Sequence, residues 1–438
     1  LFVPYAAGAQ SPAFPPPIQE DRLANGLRVV LAPDDSVSDV SLVVRYEAGH
    51  GDDPDGREGL AHVTEHVVFG AFRHGAHAKL LLQAGATNLN AHTSFDATWF
   101  EETVPPEALD LALWLEGARM ATATDDVDEA EVVRERTVAG HEYRQYGGGH
   151  EFGWLFELEF DELFPEWHPY HFARDALGAL DRIRPTDVRA FARTWYGPNN
   201  ASLVLAGRFD AGRALDLVKR YFGPISRGPV PPRPILPPIP APGNLWLDVE
   251  ARVTHPMATM AWRGPMADTP EDRAITVAAE ALTASPGGLA RRFVNDDAGA
   301  LRITVREMSA TAGSAFAVSI EPTAGVSLAD LLPKVQAAIA AFPDQLAEVD
   351  LARLKKRMSD QRLLGLETSM GRALRLAGSH RGAAWGIDEY DRVDRASVVD
   401  SMRRFLAPEQ RVTMVVRPAT RQLFGVPAVL LHRDRMAR

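Results

Sequence analysis

His62, Glu65 and His66 stand within the stretch Gly59-Leu-Ala-His-Val-Thr-Glu-His-Val-Val-Phe69. Leu60, Val63, Val67 and Val68 recur at near-helical spacing, and Gly56 and Gly59 sit in a polar loop just before them. The stretch therefore reads as the first turns of a buried helix. On such a helix residues 62 and 66 are one turn apart, so both imidazoles leave the same face, and Glu65 points the same way. Two neutral imidazoles are good Zn²⁺ ligands, and a carboxylate beside them can take a proton from a water that the metal polarises.

A third ligand has a candidate in the charged stretch from Asp128 to Gln145. Glu135 and Glu142 are two helical turns apart there and share one face. On their own, two carboxylates so placed are as well explained by solvation. The order His-x-x-Glu-His is the inverse of the commoner His-Glu-x-x-His and is the inverzincin signature. With Glu142 following at an offset of 76 from His66 (142 − 66), and Glu135 seven before it, the set resembles the pattern of the pitrilysin, insulin-degrading-enzyme and mitochondrial-processing-peptidase family. That resemblance implies zinc held by His62, His66 and Glu142, with Glu135 as a supporting carboxylate and Glu65 as general base. The attacked carbonyl would meet the zinc as a Lewis acid.

The elements that must hold these residues can be read on either side of them. Residues 10–17 are proline-rich and extended, so 1–17 is expected to be a tail, with folded structure from Ile18. Residues 26–32 and 40–46 read as strands, and 85–94 with 97–104 as a hairpin. Residues 105–122 and 185–196 read as helices, and Gly197-Pro-Asn-Asn200 turns into a strand over 201–207. Strands mixed with helices give an α+β lobe over residues 18–223. Residues 224–242 hold nine prolines, so 224–243 is read as an extended linker between two lobes.

Beyond it, in 244–438, the pattern repeats. Arg45-Tyr-Glu-Ala-Gly49 matches Met260-Ala-Trp-Arg-Gly264 at an offset of 215, and Gly197-Pro-Asn-Asn200 matches Ala407-Pro-Glu-Gln410 at 210. At the first offset His62, Glu65 and His66 fall on Val277, Glu280 and Ala281. The second lobe is thus a degenerate copy with no metal site. His74, His77, His141 and His150 are expected to be solvated.

Bulk properties narrow the function. A net charge of −11 with no Lys/Arg-rich run argues against nucleic acid or an anionic membrane as partner. No apolar run is long enough to cross a bilayer as a helix, so no span is expected. The absence of cysteine excludes thiolate zinc sites and disulfides. The stretch from Leu1 to Gln10 resembles the tail of a secretory signal, which points to a periplasmic or secreted protein, with the cytoplasm as the alternative.

The family resemblance covers nearly the whole chain from Ile18 and implies more. The fold would be two homologous α+β lobes, each a mixed sheet with helices on one face, forming half of a clamshell. An extended peptide would add as a strand along Asn90-Ala91-His92-Thr93, similar to the family's Asn-Ala-x-Thr, making Asn90, Ala91 and His92 substrate contacts, although packing suits His92 better. One departure stands out. Where the family stretch carries an arginine and, about seven positions on, a tyrosine, this chain has Asn295 and Arg302. Tyr390 is the only tyrosine after the linker, with Ala383 seven before it. The expectation is a zinc endopeptidase subunit whose heterodimeric partner supplies the pair. The alternatives are a non-catalytic scaffold or assembly subunit of the same fold, or a peptidase dedicated to one peptide.

Overall fold

The structure, a computed structural model, describes residues 14–71, 75–148, 151–172, 176–231, 233, 235–378, 384–419 and 429–435. Six strands make the first sheet: β1 (Gln19–Arg22), β2 (Arg28–Pro33), β3 (Val40–Tyr46), β4 (Thr87–Thr93), β5 (Thr98–Val104) and β6 (Ala201–Gly207). Six make the second: β7 (Leu245–Ala251), β8 (Met257–Gly264), β9 (Ala300–Met308), β10 (Ser314–Pro322), β11 (Val412–Pro418) and β12 (Val429–Arg435). The α-helices in chain order are α1 (Leu60–His66), α2 (Ala76–Gln83), α3 (Leu109–Thr122), α4 (Glu129–Gly148), α5 (Leu155–Leu163), α6 (Ala176–Arg182), α7 (Pro185–Trp195), α8 (Ala211–Phe222), α9 (Pro270–Ala284), α10 (Leu328–Gln345), α11 (Glu348–Gly365), α12 (Ser369–Ala377) and α13 (Arg395–Phe405).

The two sheets share one plan. Their orders are β1-β2-β6-β3-β5-β4 and β12-β7-β11-β8-β10-β9. Only β2 with β6 and β7 with β11 run parallel, and every other pairing is antiparallel. Even the register repeats. Tyr46 faces Ala201, and its counterpart Ala261, at the same offset of 215 (261 − 46), faces Val412. These are the two mixed α+β lobes that the sequence led one to expect.

In the first sheet β3 and β6 are buried at every residue. A strand reads as an unbroken apolar run when both faces of its sheet are covered. Along the strands Val29, Leu31, Leu42, Val44, Leu203 and Leu205 join the main core under the helices. Their alternates Val30, Ala32, Val43, Val204 and Ala206 pack on the other face against Ala373, Leu376 and Ala377 of α12. Helices therefore cover this sheet on two faces, not one.

That cover comes from far along the chain. The compact units are residues 1–139, 179–232 and 363–386, and residues 140–178, 233–362 and 387–438. This division differs from a single cut at the linker. In exchange for α12, the second unit receives α5, which packs against β8 and β11. The two helices have equal length and begin at Leu155 and Ser369, an offset of 214 (369 − 155), so they are equivalent elements of the two copies, traded. Polar contacts fix each trade. Ser369 Oγ lies 2.8 Å from Ser41 Oγ, and Arg372 is ion-paired with Asp34 in a buried setting. In the second unit Arg306 donates to Glu159 of α5 at 2.5 Å.

The described residues of 224–242 form neither helix nor strand. No helix among the described residues is long and apolar enough to cross a membrane.

One carboxyl of the second unit makes stability depend on pH. Burial, followed by the nearby Asp272 carboxylate, pushes Glu307 from 4.5 up to about 7. Between those values the folded chain keeps a proton that the unfolded chain has released, so stability falls as pH rises through that window. Glu307→Gln removes the cost while keeping a side chain that can bond Thr276 and Ser309. Urea melts should show it about 1–2 kcal/mol more stable than the parent at pH 8 and no different near pH 4. Parallel pH profiles for the two proteins would refute this.

Candidate metal centre

The motif helix α1 begins at Gly59, whose φ of +87° favours glycine and where an added Cβ would come within 2.6 Å of Leu180. Asp53 caps it: its carboxylate accepts from the backbone N–H of Gly59 and of Ala61, both at 2.7 Å. Leu60, Ala61 and Val63 bury one side of the helix in the core. The chain then continues through a π-helical turn, Val67–Ala71.

The helix delivers what the spacing demanded. Nε2 of His62 and Nε2 of His66 face each other at 3.1 Å. Burial, then the neighbouring rings of His50 and His66, push His62 down to about 3, so its imidazole is neutral and its lone pair is available. The other nitrogen of His66, Nδ1, lies 3.4 Å from Glu135 Oε2. A carboxylate on the far nitrogen of an imidazole fixes its tautomer and turns the near nitrogen toward a cation. Glu65 is buried, and its Oε2 accepts from Thr93 Oγ1 of β4 at 2.9 Å.

Glu135 and Glu142 share the unbroken helix α4. Val132 and Ala139 of this helix, also seven apart, are buried in the core, and Arg136 donates to the carbonyls of Asp181 and Ile183. Rigid continuation of the helix past Ala139 brings Glu142 to the histidines. His62, His66 and Glu142 each offer a donor atom, all within 4.8 Å of one another. Two neutral imidazoles and a carboxylate form a set suited to zinc, which normally keeps a fourth position for water when bound by three protein ligands. At the equivalent positions of the second copy, Val277 and Ala281 of α9 are fully buried apolar residues, and Glu280 pairs with Arg357.

β4 is the edge strand of its sheet, hydrogen-bonded only to β5 among the described residues. Asn90 on it is exposed and faces Glu101, Ala91 faces Phe100, and His92 faces Trp99. The His92 ring packs edge-on against Trp99 at 4.1 Å, and burial lowers its pKa. Packing accounts for that side chain.

Asn295 lies on a π-helical turn, Arg291–Asp296, and Arg302 donates to Glu321 at 2.9 Å. Tyr390 is buried in the second core, where its hydroxyl accepts from Arg362 at 3.0 Å, and Ala383 lies outside the described residues.

Of the histidines expected to be solvated, His141 is exposed, and His74 and His150 lie outside the described residues. His77 corrects the expectation. It is buried, with Nε2 3.2 Å from Glu116 Oε1, because α2 turns it inward toward α3. Three contributors escaped the sequence reading: Asp53, Thr93 as the partner of Glu65, and His50, whose ring centroid is 6.0 Å from that of His62. Thr93 could have been found, since it closes the stretch already singled out as a strand beside the motif.

Residues 28–149 match Insulinase (Peptidase family M16), and residues 182–358 match Peptidase M16 inactive domain. The zinc protease PqqE of Helicobacter pylori is 28% identical over 229 residues, 51% of this chain and 50% of that protein. The match thus spans about half the length of that relative and 22% of the probable zinc protease PqqL of Escherichia coli. Among solved structures, a protease from Helicobacter pylori superposes with a TM-score of 0.81 at 20% identity, covering 92% of this chain and all of that one. The periplasmic protease PqqL from Escherichia coli gives 0.73 at 16% identity, covering 94% of this chain and 48% of the other. With the motif half and the motif-free half each matched to its counterpart, the chain belongs to the M16 (insulinase) peptidase family.

Proposed function

We propose that the chain is a zinc-dependent endopeptidase of unfolded peptides, with His62, His66 and Glu142 as the metal ligands and Glu65 as the general base. The observation that carries this reading is the convergence of two imidazoles and Glu142 beside a buried glutamate held by Thr93. Zinc bound there supplies Lewis acidity toward a peptide carbonyl and a water of lowered pKa. Glu65, whose Oε2 is held by Thr93, would be the group that moves a proton between the attacking water and the departing amine. Glu135 holds the His66 ring. The backbone of Asn90, Ala91 and His92, on a sheet edge, receives the substrate as an added strand, which suits extended peptides of varied sequence.

The chain is read as the metal-bearing subunit of a heterodimer, because the stretch that resembles the family's Arg/Tyr segment carries Asn295 and Arg302 instead. Residence in the periplasm is proposed from the description of the similar PqqL protein. A purely scaffolding role draws no support from the inactive-domain match, which falls beyond the motif.

Removal of metal by a chelator should abolish cleavage of quenched fluorescent peptides, and one equivalent of Zn²⁺ should restore it. Cleavage that survives full demetallation would overturn the reading.

A further inference from the structure

Beneath α2, β5 and α3 lies a polar cluster that peptide hydrolysis does not use. His77, Glu102, Glu116 and Arg119 are each at most 3% exposed. His77 Nε2 is 3.2 Å from Glu116 Oε1, while the other oxygen of Glu116 pairs with Arg119 one turn along the same helix. As a carboxylate, Glu102 has neither oxygen in contact with solvent and neither receiving a hydrogen bond. Yet one ligand atom from each of His77, Glu102 and Glu116 lies within 4.8 Å of the others.

The charges do not balance. With the imidazole neutral, two carboxylates against one guanidinium leave one negative charge in excess in the interior, where an uncompensated ion is costly, and a proton on His77 or Glu102, or a bound cation, would cancel it. Burial and the like charge of Glu116 push the Glu102 carboxyl well upward, so a proton on Glu102, offered to Glu116, is a real competitor. A proton on Glu102 involves only those two carboxyls, however. Here an imidazole carried by a different helix closes the set from another side, so that three elements each send one donor to a common centre. That is the way ligands are placed around an ion.

We propose that His77, Glu102 and Glu116 form a second metal site that takes a divalent first-row cation, Zn²⁺ or Mn²⁺ by its mixed nitrogen and oxygen donors. Arg119 orients Glu116 through the oxygen that faces away from the ion. The cation would tie α2, β5 and α3 together, a structural role that holds whether or not the His62 centre cleaves peptides.

The test uses the full chain with His62→Ala and His66→Ala, which removes the first centre. After stripping with chelator and dialysis against Zn²⁺ or Mn²⁺, elemental analysis should find about one equivalent retained, with a metal-dependent rise in melting temperature. Adding Glu102→Gln, which keeps the volume and removes the charge, should reduce retention at least tenfold. If the double variant does not fold, the parent should hold two equivalents and Glu102→Gln one. Retention of none by a folded double variant, one rather than two by the parent, or a count indifferent to Glu102→Gln would overturn the proposal. In the first two cases a stabilising effect of Glu102→Gln above pH 7 would identify the proton as occupant.

Discussion

Glu65→Gln is expected to reduce peptide hydrolysis by about 10³- to 10⁴-fold while the zinc content stays at that of the parent. The substitution is the most selective probe of the centre. A glutamine can still accept from Thr93 Oγ1, so the local bond at 2.9 Å is kept. Glu65 is not among the three residues that converge as donors, so the metal should stay. What is lost is a group able to take a proton. Activity and metal should therefore separate in this variant, whereas Glu142→Gln should lose both activity and the ion of the His62 centre. If Glu65→Gln keeps more than about a tenth of the activity, the proton goes elsewhere and the assignment of Glu65 fails.

The second large effect concerns the missing pair. Purified by itself, the chain should bind zinc and turn over peptides slowly, because no Arg/Tyr pair steadies the developing oxyanion. Adding a homologous chain that carries the pair should raise kcat by about 10²- to 10³-fold, the usual worth of one such donor. The same partner with its arginine and tyrosine both replaced should still associate and should not accelerate the reaction. Full activity from this chain alone, unchanged by any partner, would show that Asn295 and Arg302 have been misread.

How much of this could be read from residues alone depended on distance along the chain. The geometry of His62, Glu65 and His66 was legible because one helical turn fixes it. Glu135 and Glu142 could be placed on one face by the same arithmetic. Their nearness to the histidines came only from resemblance, since no local rule reaches from His66 to Glu142. His77, expected to be solvated, is buried. A subtler signal was present. Glu102 shares strand parity with Phe100 and Val104, both buried, so a carboxylate there had to face inward and needed partners. Glu116 and Arg119, three apart on a Leu-rich helix, were those partners. The traded helices α5 and α12 were not legible at all, because amphipathic spacing says that a helix covers a sheet and not which of two equivalent sheets it covers.

That trade bears on how the protein comes into being. Ser41 and Ser369 are 328 positions apart, so the first sheet cannot finish closing until most of the chain has left the ribosome. Until then Val30, Val43 and Val204 present an apolar strip to the cytosol or to whatever chaperone is at hand. Contacts of such long separation slow folding, since loop closure precedes any gain from burial. Synthesis of the motif-bearing half would then end in a waiting, unfinished sheet rather than a working lobe. A nascent chain that stalls at the proline-rich segment should be sticky and easily degraded, and the metal centre would mature only in molecules whose second half has arrived.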